Sequence, residues 1–416
     1  MENSVKQHIY DLQQLIARRG IAAVIIPQAD PHMSEYLSAH WQLRRYLSGF
    51  TGSAGDLVVT RDRAALWTDS RYFLQAAQQL DGTGIELMRD GLPGTPSIER
   101  WLADNLKAGD VVAIDAMVFS TAARADLQMR LHADGLALAT NFGPDEIWPG
   151  RPALPEGKVF VHDVKYAGLP ARDKIGAVLE HTAGQRADSV FISALDEIAW
   201  VLNIRANDVK YNPVVTSFLY LSPVGCTLFI DPVKVSDDVA GYLRSQGVAT
   251  APYTAVKDFL TNLPGEARVL VEGARTAAGI VDLLGSRAVV GTSPVAMLKA
   301  CKNEVQLEGV RNAMVRDGVA MVRSLHEIER RVEAGEHLTE MDVAEILRRH
   351  RSTSPLFFDE SFGTIAGYGP HGAIVHYEAD KKSNADLAPH GLLLIDSGAQ
   401  YLDGTTDITR TISLGA

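Results

Sequence analysis

Apolar positions near the start of the chain recur with two different periods. Ile9, Leu12, Leu15 and Ile16 fall at helical spacing, Gly20 closes the run, and Ser4 three residues ahead of Gln7 has the pattern of a capping box. Ile21 to Pro27 is instead continuous, β-branched and too short for a helix, which predicts a buried strand. Strand-like runs at 56–60, 64–68 and 111–115 alternate with helical stretches at 71–80 and 122–132, the pattern of an α/β layer. After a Gly- and Pro-rich linker at 143–157 the alternation resumes. Helices are expected at 171–182, 195–202, 239–246 and 276–284, and strands at 189–192, 226–230 and 268–271. The two stretches share element order without a residue-level repeat.

From Lys302 the pattern changes. Val310, Met314, Met321, Leu325, Ile328 and Val332 trace one face of a long helix that Gly335 stops, and Thr339 with Asp342 caps a second helix reaching about Arg349. Beyond Ser354 the chain becomes glycine-punctuated strand and loop. The expected organisation is therefore α/β and α+β: α/β domains at 1–150 and 151–297, then helices followed by sheet at 298–416.

Composition narrows the function. Of 416 residues, 46% are hydrophobic and 22% charged, which is ordinary for a globular protein. Fifty-one acidic against 40 basic residues give a formal charge of −11, so no general attraction for nucleic acid or anionic lipid is expected. Cys226 and Cys301 are the only cysteines, too few for a thiolate cluster and unlike a disulfide framework. No signal-like N-terminus and no apolar run near the roughly 18 residues of a membrane span are present. A cytoplasmic location is the expectation.

The chemistry concentrates in Leu392 to Thr411. An apolar strand delivers Asp396, a turn follows, and a β-branched strand carries Asp407 back. Centred on Asp403 and Gly404, the turn would set Asp407 opposite Gln400. Centred on Leu402 and Asp403, it would set Asp407 opposite Gly398, with Asp396 its same-face diagonal neighbour about 7–8 Å away. Both registers leave the two aspartates on one face. Like charges so placed are costly, and divalent cations remove the cost. The plainer alternative makes Asp403 and Asp407 turn residues and Asp396 a strand end. Upstream, a glycine-rich loop leads into Ala373-Ile374-Val375, read as a short strand that ends at His376, either a proton-handling group or a structural histidine.

Several segments together resemble the cytosolic-type Xaa-Pro aminopeptidases (aminopeptidase P). They are Ser34-Glu-Tyr36, Ser48 to Gly55, Trp67 to Phe73, Leu195 to Trp200 with Asn203-Ile-Arg205, Gly372 to Tyr377, Asp396 to Tyr401 and Asp407 to Thr411. The resemblance implies two creatinase-like N-terminal domains and a pita-bread metallopeptidase domain, here incomplete. It implies that Asp396 and Asp407 are metal ligands of a dinuclear Mn2+ centre, with Zn2+ or Co2+ as other possible ions. His376 becomes the catalytic histidine that contacts substrate. Peptides with proline in second position become the substrates, two ions activating water toward the carbonyl before proline. A homodimer, with contacts through the N-terminal domains, is implied as well.

The family pattern also needs a further histidine and two glutamate ligands, which lie downstream of Ala416. The expectation is an N-terminal portion that binds metal weakly, has no peptidase activity alone and leaves a raw sheet edge near Leu414. The alternative is a non-catalytic creatinase-fold interaction or dimerisation protein.

Overall fold

The computed structural model describes residues 2–415. The chain forms two compact units: one is Met1–Val161, Ala171–Asp208 and Val214–Ala300, the other His162–Pro170, Val209–Pro213 and Cys301–Ala416.

The first unit holds two six-stranded sheets. Strands β1 (Ala23–Ile26), β2 (Asp56–Thr60), β3 (Ala64–Thr68), β4 (Glu86–Arg89), β5 (Val111–Ala113) and β6 (Ala137–Ala139) lie in the order 4-3-2-1-5-6. Strands β7 (Ser189–Ile192), β8 (Ser217–Ser222), β9 (Gly225–Ile230), β10 (Val248–Ala251), β11 (Val269–Glu272) and β12 (Ala288–Gly291) lie in the order 10-9-8-7-11-12. The two orders are the same, and so is the direction of every pairing. The shared element order read from the sequence is thus a shared topology. Central strands such as β1 and β7 are buried along their whole length, as expected where helices cover both faces of a sheet. The strands that periodicity did not reveal are mostly edges: β4, β6, β10 and β12 are four residues or fewer and largely unburied, too short for a period to stand out.

One local expectation is corrected. The first helix spans Glu2–Arg18, so Ser4 lies inside its first turn and does not cap it. Helical backbone begins two residues before Ser4.

In the second unit, α1 (Glu304–Glu333) and α2 (Glu340–Ser352) each begin with a capping box, Asn303 with Gln306 and Thr339 with Asp342. The buried face of α1 departs from the expected stripe, because Met314 is 42% exposed while Gly309, Ala313, Asp317 and Ala320 are buried. Small side chains are needed there. A methyl group on Gly309 would strike the Asp403 carbonyl, and one on Gly404 would press on Ala313. The helix therefore meets the C-terminal hairpin almost backbone to backbone. Further along, Met321, Ile328 and Val332 join Ile346, Leu347, Leu393, Ile395 and Ile408 in one apolar cluster.

Six strands complete this unit: β13 (Phe357–Glu360), β14 (Ile365–Tyr368), β15 (Leu392–Ser397), β16 (Ala399–Tyr401), β17 (Gly404–Thr405) and β18 (Ile408–Ser413). They form two three-stranded sheets, β13-β16-β17 and β14-β15-β18.

Candidate metal centre

Asp396 pairs across the ladder with Thr409 and Ser397 with Ile408, and the same register continues through Gln400–Thr405 and Tyr401–Gly404. The turn is therefore Leu402-Asp403, and Asp407 falls opposite Gly398. Of the two registers open to the sequence, this is the one that makes Asp396 and Asp407 diagonal neighbours on one face.

Three features hold it. Asp403 gives both carboxylate oxygens to Arg316, at 2.9 Å each, so this acid is a turn residue as the plainer reading had it. Arg316 in turn lies over the Tyr401 ring, 4.8 Å from its centroid. Gly398 permits close approach of the returning strand, since a side chain there would collide with the Thr406 carbonyl and the Ser361 hydroxyl.

Strand alternation sorts the side chains. Leu393 and Ile395 enter the apolar cluster against the helices, whereas Asp396 points to the other face and is half-buried. Asp407 is exposed. Its carboxyl is nonetheless raised above the usual carboxylate range, first by loss of solvent and then by the charge of Asp396 and a hydrogen bond with it. The two acids are thus neighbours in charge as well as in register. Asp396 Oδ1 is buried and makes no hydrogen bond. A buried acceptor without a partner is unusual and calls for a reason.

A divalent cation fits these observations: it would occupy the orphaned oxygen, and oxygen donors suit hard ions. Among the described residues no group of three or more His, Cys, Asp or Glu side chains is placed to hold an ion, so the donor set found here is this pair alone.

His376 requires a correction. Residues 373–375 do not form a strand: Gly369–Ala373 is a 3-10 helix and 374–376 continue into a turn. The glycines and Pro370 favour this tight winding over an extended run, and Val375, which a buried strand would hide, is 59% exposed. His376 is partly buried.

Two features were invisible in the sequence. Glu340, at the first turn of α2, is fully buried and accepts four hydrogen bonds from the glycine-rich loop and the stretch that follows it. Oε1 receives Tyr368 N and His371 Nδ1, both at 2.8 Å, while Oε2 receives Tyr377 Oη at 2.7 Å and Ala385 N at 2.9 Å. The short segment 209–213 also reaches the hairpin: Gln400, on the aspartate face, donates to the Tyr211 carbonyl at 3.0 Å. Tyr211 has a left-handed φ of 71°, uncommon for a bulky residue.

Among the described residues, no helix is long and apolar enough to cross a membrane. Comparison with known proteins gives three family matches: two to the creatinase/prolidase N-terminal domain, over residues 8–141 and 150–306, and one to metallopeptidase family M24 over 308–416. Aminopeptidase P2 of Arabidopsis thaliana is 38% identical over 94% of the chain and 60% of its own length. An Xaa-Pro aminopeptidase of Drosophila melanogaster is 36% identical over the whole chain and 70% of its own length. The X-prolyl aminopeptidase of Caenorhabditis elegans, described as a cytosolic enzyme with a dinuclear active site, superposes with a TM-score of 0.94 at 32% identity. The match spans 100% of the chain described here and 70% of that one. The chain thus spans between 60% and 70% of the length of these relatives.

Proposed function

The chain belongs to the Xaa-Pro aminopeptidase family, and from that premise we propose that its second unit supplies part of a proline-directed metalloaminopeptidase site. The observation that carries the reading is the placement of Asp396 and Asp407 as same-face neighbours, with one buried Asp396 oxygen unpartnered. Asp396 and Asp407 would hold divalent ions, manganese by preference over zinc or cobalt. When bound, such ions supply Lewis-acid polarisation of the carbonyl that precedes proline.

The chain's own groups do the rest. The aspartates fix where the ions sit, because both issue from a hairpin pinned by Arg316 and Gly398. His376, in its turn beside Tyr377, would donate a hydrogen bond to the carbonyl oxygen as negative charge builds there. Peptides with proline second are the substrates in this reading, and the three-domain division at 150 and 297, a homodimer and a cytoplasmic location belong to it.

Calorimetry tests it. In the presence of Mn2+ the chain should bind a peptide with proline second more tightly than its alanine counterpart, and Asp407→Asn should erase the difference. Equal heats for both peptides in the parent chain would contradict the reading.

A further inference from the structure

The sequence offers no obvious means of holding His376 still. It sits in a turn, in a segment rich in glycine, between a 3-10 helix and 377–391, where no helix or strand forms. Left to its own propensities such a segment would sample many conformations. The structure shows one residue to which this segment is tied at four points, and it lies outside the segment.

That residue is Glu340. Its two oxygens accept hydrogen bonds from residues 368, 371, 377 and 385, which bracket His376 on both sides. A carboxylate can serve four donors at once because each oxygen carries two lone pairs and neither has a proton to give. An amide of the same shape cannot: its nitrogen would face two donors. The bond to His371 also fixes a tautomer, since Nδ1 facing a carboxylate oxygen must carry the proton.

The tie nearest His376 runs through the next residue in the chain. Tyr377 is 6% exposed, and its hydroxyl lies 2.7 Å from Glu340 Oε2 and 3.0 Å from the Ser383 carbonyl. Its ring stacks on His371 with centroids 4.5 Å apart, so two of the four tethered groups also brace one another. Burial of Glu340, completeness of its bonding and its origin on a capped helix packed into the apolar cluster make it a rigid post. By contrast, the segment it holds makes few ladder bonds of its own.

We propose that Glu340 is a positioning residue for His376, acting through Tyr377 and His371 to present that imidazole to the face bearing Asp396 and Asp407. The inference rests on the metal-site reading above for what His376 faces, but not for the tether itself. It assigns a role in the site to a residue that neither binds an ion nor meets a peptide.

The experiment uses the whole chain with isotope-labelled histidine, the His376 ring signals being identified by His376→Gln. Mn2+ is paramagnetic, so bound ions broaden signals of nearby nuclei. In the parent chain Mn2+ should broaden the His376 signals, and Asp396→Asn should abolish that effect. In Tyr377→Phe, which keeps the ring and its stacking, and in Glu340→Gln, Mn2+ should still bind while selective broadening of His376 is lost. Thermal melts identify any variant that no longer folds, and Tyr377→Phe carries the test if Glu340→Gln does not.

The same spectra are read without metal. There the His376 signals should be single and distinct in the parent and move to the position of solvent-exposed histidine in both variants. If no parent signal broadens with Mn2+, the metal reading fails and the metal-free spectra still decide the tether. If His376 behaves alike in parent and variants under both conditions, the positioning role is wrong.

Discussion

Two aspartates, one in each unit, show opposite ways of handling buried charge. Asp208 is enclosed, and both oxygens of its carboxylate are partnered: Oδ1 accepts from Gly157 N at 3.0 Å, and Oδ2 accepts from Thr216 N at 2.7 Å and from the Lys234 ammonium. Both side chains of that ion pair are at most 2% exposed. Asp396 also has a buried oxygen, yet that oxygen has no partner, and its neighbour across the hairpin is another acid. The contrast separates structure from function. A charge completed by the protein's own groups belongs to the fold, whereas one left open next to a like charge is poised for something the chain must bind.

Removing each acid should sharpen that contrast. Asp208→Ala strands a buried ammonium and should cost about 3–5 kcal/mol in chemical denaturation. Asp396→Asn, measured without metal, should change stability by no more than about 1 kcal/mol, since no bond to Oδ1 is lost. If Asp396→Asn were as damaging as Asp208→Ala, the two sites would not differ in kind.

Gly398 tests the geometry that brings the acids together. Gly398→Ala puts a methyl group into the Thr406 carbonyl and should destabilise by about 1–3 kcal/mol as the hairpin shifts to relieve the clash. The same change should weaken Mn2+ binding, because the diagonal placement of Asp407 depends on that close approach. A variant of full stability with unchanged Mn2+ affinity would break the argument.

The smallest effect is one of pH. The folded-state value of Asp407 is raised from 3.8, so between that value and the raised one the native state holds more protons than the unfolded chain. Stability therefore falls as pH rises through this window, and above it Asp407 carries a fixed cost that asparagine removes. Asp407→Asn should be slightly more stable than the parent at neutral pH, with the gap closing as pH falls below the ordinary carboxylate range. A gap that widens in acid would give the shift the wrong sign.

How much of this was legible beforehand follows from the range of the interactions. The hairpin and its face could be read because strand alternation and a tight turn are local: two registers were open, both kept Asp396 and Asp407 on one face, and only one made them neighbours. Which of them forms is decided by Arg316 and by the small face of α1, which lie about ninety residues upstream, beyond the reach of periodicity. Met314 misled for the same reason, since apolar spacing cannot reveal that a glycine and alanine stripe is where the helix touches the hairpin. Glu340 has the local sequence of an ordinary acid in a first helical turn. Its four donors lie 28 to 45 residues away, and nothing local announces them. The 373–375 strand failed because three apolar residues beside Gly-Pro-His-Gly wind into a 3-10 turn as readily as they extend.

The most direct test of the account is the melting temperature of the chain with and without Mn2+, set beside Asp396→Asn and Asp407→Asn. A ligand that binds only the folded state raises the midpoint as its concentration rises. The account predicts a modest Mn2+-dependent increase for the parent chain and none for either variant. An equal increase in all three proteins, or none in the parent at any Mn2+ concentration, would mean that these two carboxylates do not form a metal site.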